Sequence, residues 1–289
     1  MESGQLPGNS GKVASWEQQV RLHSKTLAQD TTNVAAYLGR GYAQYQMKLY
    51  ASAVHDFSRA IELDSTDAAS HFNRGMAYLK QDVFDSAAQD FRTVLRFDPE
   101  HERANNHLGL ALMHRRQYGA SLQAFNQAVD LNPHYTNAYL NRGVVYYRLH
   151  RVDDAIRDFN TVISKVPNHA QAYANRALAQ YESGAYEYAM MDLDQAKKID
   201  SSLSIIYYHR GLVRFHEEEW ERAISEFDRA IGLDEKQGEY YISRGFCKYR
   251  LGNKEAAQTD FDLGILLNPV LQVLINEELS TQSSEDNSP

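Results

Sequence analysis

The chain has 289 residues, 24% of them charged, and a formal net charge of −8. That balance disfavours non-specific attraction to nucleic acid, and no stretch is long and apolar enough to insert into a membrane. A single cysteine, Cys247, excludes an internal disulfide and suits a reducing, cytoplasmic setting. In chain order, residues 1–11 contain Gly, Pro and Ser and read as disordered. Residues 12–33 read as an N-terminal capping helix, with Trp16, Val20 and Leu27 available to cover the next helices of the chain. Met1–Ser15 is polar and lacks the apolar run of a signal peptide.

From residue 34 the chain repeats itself with a 34-residue period, giving units 34–67, 68–101, 102–135, 136–169, 170–203, 204–237 and 238–270. One series of small residues keeps this step: Gly41, Gly75, Gly109, Gly143, Ala177, Gly211 and Gly245. A second follows twelve residues later, Ala53, Ala87, Ser121, Ala155, Ala189, Ala223 and Ala257. A third is large and apolar: Phe57, Phe91, Phe125, Phe159, Leu193, Phe227 and Phe261. Small residues let two helices approach, and the aromatic fills the space beside them. Each unit therefore predicts helix A, a short turn and helix B, with Gly184 and Gly252 in the turn and Pro99, Pro133, Pro167 and Pro269 closing units in phase. Cys247 shares its position with Ala43, Ala77, Ala111, Val145, Ala179 and Val213 and reads as core. Residues 271–279 predict a C-terminal capping helix, with Leu271, Leu274, Ile275 and Leu279 on one side. Val270 and Val273 widen its apolar surface, so self-association through it is an expectation. The polar, acidic tail 280–289 reads as disordered.

Charges are paired in phase as well. Arg40, Arg74, Arg142, Arg176, Arg210 and Arg244 precede the small residue, and Asp56, Asp90, Asp158, Asp192, Glu226 and Asp260 follow sixteen residues later. The third unit loses both members at once, carrying Leu108 and Ala124. Joint loss predicts a structural ion pair between helices A and B of the same unit, a site suited to the planar guanidinium fork.

Period, small–small–aromatic spacing and terminal proline together resemble the tetratricopeptide repeat family. The resemblance implies an all-α fold, a right-handed α-solenoid (superhelix) of helix-turn-helix repeats with helical caps. It also implies that helix A lines a concave groove that holds an extended peptide or a partner helix. Carried onto this sequence, that groove takes Asn73, Asn141 and Asn175 at one shared position, with His107 and His209 there in other units. Asparagine both donates and accepts, so a ladder of it can read a peptide backbone. Tyr42, Phe72, Tyr147, Tyr181, Tyr208, Phe215 and Tyr249 are expected on the same face, with Lys80, Arg103, Arg148 and Arg250 giving it a positive excess over Glu182 and Glu239. The expected partner is a protein or peptide with some acidic character, and neither nucleic acid nor membrane.

Other functions find less support in the residues. The clamp that such folds use for heat-shock chaperone tails is incomplete, since Leu38 and Tyr42 stand where a lysine and an asparagine belong. No phosphate loop, nucleophile elbow or closed metal spacing occurs, so no enzyme, cofactor or metal is expected. His107 with His114, and His209 with His216, are seven residues apart and do not meet one metal. The alternative to groove binding is a regulatory or assembly-chaperone subunit that binds through its outer helix face or its C-terminal helix. Similar arrays occur in ciliary and organelle-assembly proteins, an analogy that sets no compartment.

Overall fold

The computed structural model describes residues 10–276. The chain divides into two compact units, Met1–Val145 and Tyr146–Pro289, the boundary falling within α8 (Thr136–Arg148). In the first unit α1 (Ser10–Gln29) precedes the pairs α2 (Val34–Gln46) with α3 (Tyr50–Leu63), α4 (Ala68–Leu79) with α5 (Phe84–Phe97), and α6 (Glu102–His114) with α7 (Tyr118–Leu131). The second holds α9 (Val152–Lys165) and the pairs α10 (Ala170–Glu182) with α11 (Tyr186–Ile199), α12 (Ser204–His216) with α13 (Trp220–Leu233), and α14 (Gly238–Arg250) with α15 (Lys254–Leu267). A last helix, α16, is described over 271–276. The start of α1 corrects one expectation, because Ser10 and Gly11 are helical. Residues 1–9, 277–279 and the acidic tail 280–289 lie outside the described residues.

Within each unit the pairs stack as an α-solenoid, and no strand occurs among the described residues. The A helices other than α8 pack on their own B helices and on the A helices of their neighbours, α2 on α4 and α4 on α6, then α10 on α12 and α12 on α14. The phased residues explain the pairing. Ala53, Ala87, Ala155, Ala189, Ala223 and Ala257 are fully buried, as are Phe57, Phe91, Phe125 and Phe227. Burying one such ring removes enough apolar surface to contribute about 1.5–3 kcal/mol. The ring lies against the backbone of helix A, and only glycine leaves room for it. A Cβ on Gly41 would come within 2.7 Å of Phe57 Cε1, and one on Gly245 within 2.6 Å of Phe261 Cε1. Helix starts are capped where the sequence allows: Asn33, Asp67, His101 and His169 each accept the backbone N–H three residues on.

The structure brings five of the expected ion pairs together. Arg40 grips Asp56 with Nε and Nη2, both at 2.7 Å. Arg74 does the same to Asp90 at 2.9 and 2.8 Å, and Arg244 to Asp260 at 2.8 and 2.6 Å. Arg176 holds Asp192 at 2.7 and 2.6 Å, while Arg210 reaches Glu226 through Nε alone at 2.9 Å. Arg142 and Asp158 belong to different units, and their pairing stays an expectation. The remaining arginine nitrogen does something the pairing rule misses: Nη1 points back to the preceding repeat. It donates to Ser24 from Arg40, to Ser58 from Arg74, to Asn126 from Arg142, to Asn160 from Arg176, and to Asp194 and Asp228 from Arg210 and Arg244. Arg142 makes the backward bond, and each of the others thus ties its own helix pair and staples it to the one before. Ser24 belongs to α1, so the first helix enters this network like the B helix of a repeat.

The third repeat lacks the whole device. Leu108 and Ala124 replace arginine and acid, and the position that would accept the staple is occupied by Arg92. These three residues line one outer cleft, together with Asn105 and Asp130.

Candidate functional site

On the A-helix face of the first unit, α6 and the start of α8 enclose a polar cleft of about 570 Å³. Its walls are Glu102, Arg103, Asn106, His107 and Leu110 from α6, Tyr135, and Asn137, Leu140 and Asn141 from α8. Asn106 is the anomaly among them. Its counterparts at the 34-residue step are Leu38, Phe72, Leu140, Ala174, Tyr208 and Ile242, and it alone carries an amide there. It is 4% exposed, and its Oδ1 accepts from Asn141 Nδ2 at 3.1 Å. A buried amide is costly unless hydrogen-bonded, so this pair is fixed in place. Burial raises the pKa of the neighbouring Tyr135 hydroxyl, and the Asn106 side chain is within hydrogen-bonding reach of it.

His107 and Arg103 complete the wall. The Nδ1–H of His107 donates to the Arg103 carbonyl at 2.6 Å, which leaves Nε2 as the acceptor. Burial and the adjacent Arg103 charge lower its pKa, so the ring is neutral near pH 7. The Arg103 guanidinium lies 5.1 Å from the centre of the Phe72 ring. Glu102 lines the same cleft, so the positive excess expected of the groove is offset here.

A second concavity belongs to the other unit. Tyr181, Tyr208, Leu212, Phe215, Glu239, Ile242, Ser243, Phe246, Leu271 and Leu274 line an apolar pocket of about 270 Å³. Ser243 occupies the step of Asn141 and Asn175, and its small side chain leaves the space open. Glu239 is held at the edge by Asn268, whose Nδ2 donates to it at 3.1 Å. Burial pushes the Tyr208 hydroxyl up to about 12.

The other expected site residues divide by burial. His209 is corrected: it is 4% exposed, its Nδ1 lies 3.2 Å from the Ala174 carbonyl, and desolvation lowers its pKa to about 4. It joins α12 to α10 and does not face a ligand. Phe72 is corrected too, being buried among Phe91, His101 and His107. Asn175 is half-buried and accepts from Gln171 within its own helix at 2.9 Å. Asn73 is half-buried on α4, and Lys80 is exposed at that helix's end. Tyr42 is exposed, edge-on to Trp16 of α1. Tyr147 is half-buried, its hydroxyl pushed to about 12 by burial and by Glu182, and Arg148 beside it is exposed. Tyr249 lies under Lys254 and Arg250 over Trp220, and neither lines the pocket. Asn106, Tyr135 and Asn137 went unread in the sequence, although a lone amide at an otherwise apolar step was a usable signal.

A tetratricopeptide repeat profile matches residues 72–136 and 140–203, and a second one matches 34–67. The chain belongs to the tetratricopeptide repeat family. A search of curated proteins finds no match. Among solved structures, a tetratricopeptide repeat protein from Parabacteroides merdae is similar at 21% identity and a TM-score of 0.67, over 89% of this chain and 94% of that one. YrrB, described as a tetratricopeptide repeat protein with an unusual peptide-binding site, has 23% identity and a TM-score of 0.54, over 65% of this chain and 97% of its own. Yeast Tom70 has 16% identity and a TM-score of 0.63, over 99% of this chain and 63% of its own. At these identities the likeness speaks for the fold of this tetratricopeptide repeat protein. No described helix is long and apolar enough to cross a membrane.

Proposed function

We propose that this tetratricopeptide repeat protein is a non-catalytic scaffold that holds an extended peptide against its A helices. The observation that carries the reading is Asn106, a buried amide where the six other repeats carry Leu, Phe, Ala, Tyr or Ile, locked against Asn141 in an open polar cleft. Burying an amide there is unfavourable for packing alone. It is explained if buried Asn106 anchors the half-buried Asn141 so that the latter's amide meets a passing peptide backbone. His107 adds an acceptor and Arg103 a cation for a carboxylate on the ligand, which is where acidic character would be read. The peptide-binding character of YrrB supports such a use of the fold. Separately, the apolar pocket of the second unit suits one large apolar side chain of a partner. A cytoplasmic location agrees with the lone Cys247, whose thiol burial pushes up to about 12.

The test is selection of a displayed random-peptide library on the wild-type protein, followed by titration on Asn106→Leu, the residue that the fourth repeat has at this step. Selected peptides are expected to bind the variant at least about tenfold more weakly, with an unchanged helical spectrum. Equal binding to both proteins would remove the cleft from the function.

A further inference from the structure

The last repeat departs from the other six on its outer surface. At the step of Leu266 the others carry Glu62, Arg96, Asp130, Ser164, Lys198 and Gly232. At the step of Val270 they carry Thr66, Glu100, His134, Asn168, Ser202 and Lys236. At that of Leu263 they carry only Arg, Thr or Gln. Solvent explains the polar choices, and it has not gone away in the seventh repeat: Leu263 is 40% exposed, Leu266 78% and Val270 75%.

The adjoining helix α16 adds to this surface. Its Leu271 and Ile275 are buried against α14 and α15, while Val273 and Leu274 turn outward, 59% and 54% exposed. A helix apolar on both sides is one that a partner covers. From Leu263 to Asn276 there is no ionisable side chain, although the whole chain carries −8.

We infer that this surface is a self-association face, on which a second copy of the chain docks through α15 and α16. Three observations favour a copy over other occupants. A patch without charge meets its own image without like-charge repulsion, whatever the net charge around it. A two-fold contact sets one patch against its own copy, so leucines and valines meet leucines and valines. The chain's own residues 277–289 offer Leu279 as their one aliphatic side chain against four acids, and so make a poor cover. Because the contact is apolar and the copies are both acidic, added salt strengthens it by screening the distant repulsion.

Sedimentation of the wild-type protein over a range of concentrations and salt is the test. Dimer mass is expected to rise with both. Leu266→Lys combined with Val270→Lys is expected to be monomeric, and so is the pair Leu266→Glu with Val270→Glu; mixing the two variants is expected to restore a dimer. Both positions are exposed, so the variants should keep the wild-type helical spectrum, while the wild type alone should gain stability as its concentration rises. Should a variant fail to fold, Val270→Cys supplies an independent measurement: mild oxidation is expected to link two copies, since the native Cys247 is buried. A wild-type protein that stays monomeric at every concentration, or a lysine variant that still dimerises, overturns the inference.

Discussion

Repeats five and six lie side by side in the second unit and solve the same packing problem differently. In repeat six Gly211 makes room for the Phe227 ring, and a Cβ there would sit 2.7 Å from Phe227 Cδ1. In repeat five Ala177 faces Leu193, both fully buried: the methyl group has been added to one helix and the ring removed from the other. The ion pairs differ in the same compensated way. Arg176 grips Asp192 with two bonds, whereas Arg210 gives one bond to Glu226 and another to Asp194. What stays constant along this array is the volume and charge of a helix pair, and the residues that supply it are interchangeable only in sets.

The ion pairs offer the largest test of that statement. Asp192→Ala leaves Arg176, with a side chain only 19% exposed, holding Asn160 as its remaining hydrogen-bond partner; the expected loss is about 2–4 kcal/mol. Glu226→Ala leaves Arg210 with Asp194, and about 1–2 kcal/mol is expected. Urea midpoints at constant m-value would measure both. Equal losses would mean that the second acid does not back up the first. Next comes the volume exchange. Gly211→Ala should cost about 2 kcal/mol by overpacking, and adding Phe227→Leu, which recreates repeat five, should return about 1 kcal/mol of it. Strictly additive losses in that cycle would refute the compensated-set account.

Much of this was legible in the sequence because a repeat array states its rules seven times. The Gly–Phe and Arg–acid positions stood out by phase, and the third repeat's joint loss showed which charges belong together. The backward staple was harder to read, since its acceptor is Ser58 in one repeat, Asn160 in another and Asp228 in a third, so no residue type marks it. Phase also misled. His209 shares the step of Asn175, and facing was assigned to both alike, yet its larger ring reaches across to the Ala174 carbonyl and becomes part of the core. Asn106 occupies a step that is otherwise Leu, Phe, Ala, Tyr or Ile, and there the exception carries more information than the rule.

His209 also makes repeat six titrate where repeat five does not. Its pKa of about 4 in the folded chain lies below the unfolded value of about 6.5, so the unfolded state binds the proton first as pH falls. Its contribution is therefore complete above about pH 6.5 and lost progressively down to about pH 4, by about 1.5 kcal/mol between pH 6.5 and 5. Wild type and His209→Asn, which copies Asn175, should diverge in that window and run parallel above it. Parallel stability curves throughout would place the imidazole in water. The smallest effect sits in the A–B turn. Gly184 takes φ = 78°, and Glu218 at the same step takes φ = 60°, a left-handed conformation that costs a side-chain-bearing residue about 1 kcal/mol. Gly184→Ala should accordingly lose about 1 kcal/mol, having no contact to gain within 4 Å. Glu218→Gly relieves the strain but loosens the unfolded chain, so its gain should be no more than about 0.5 kcal/mol. Opposite signs at the two turns are the expected result; a loss at both would show that contacts hold Glu218 in place and that strain is not what separates these repeats.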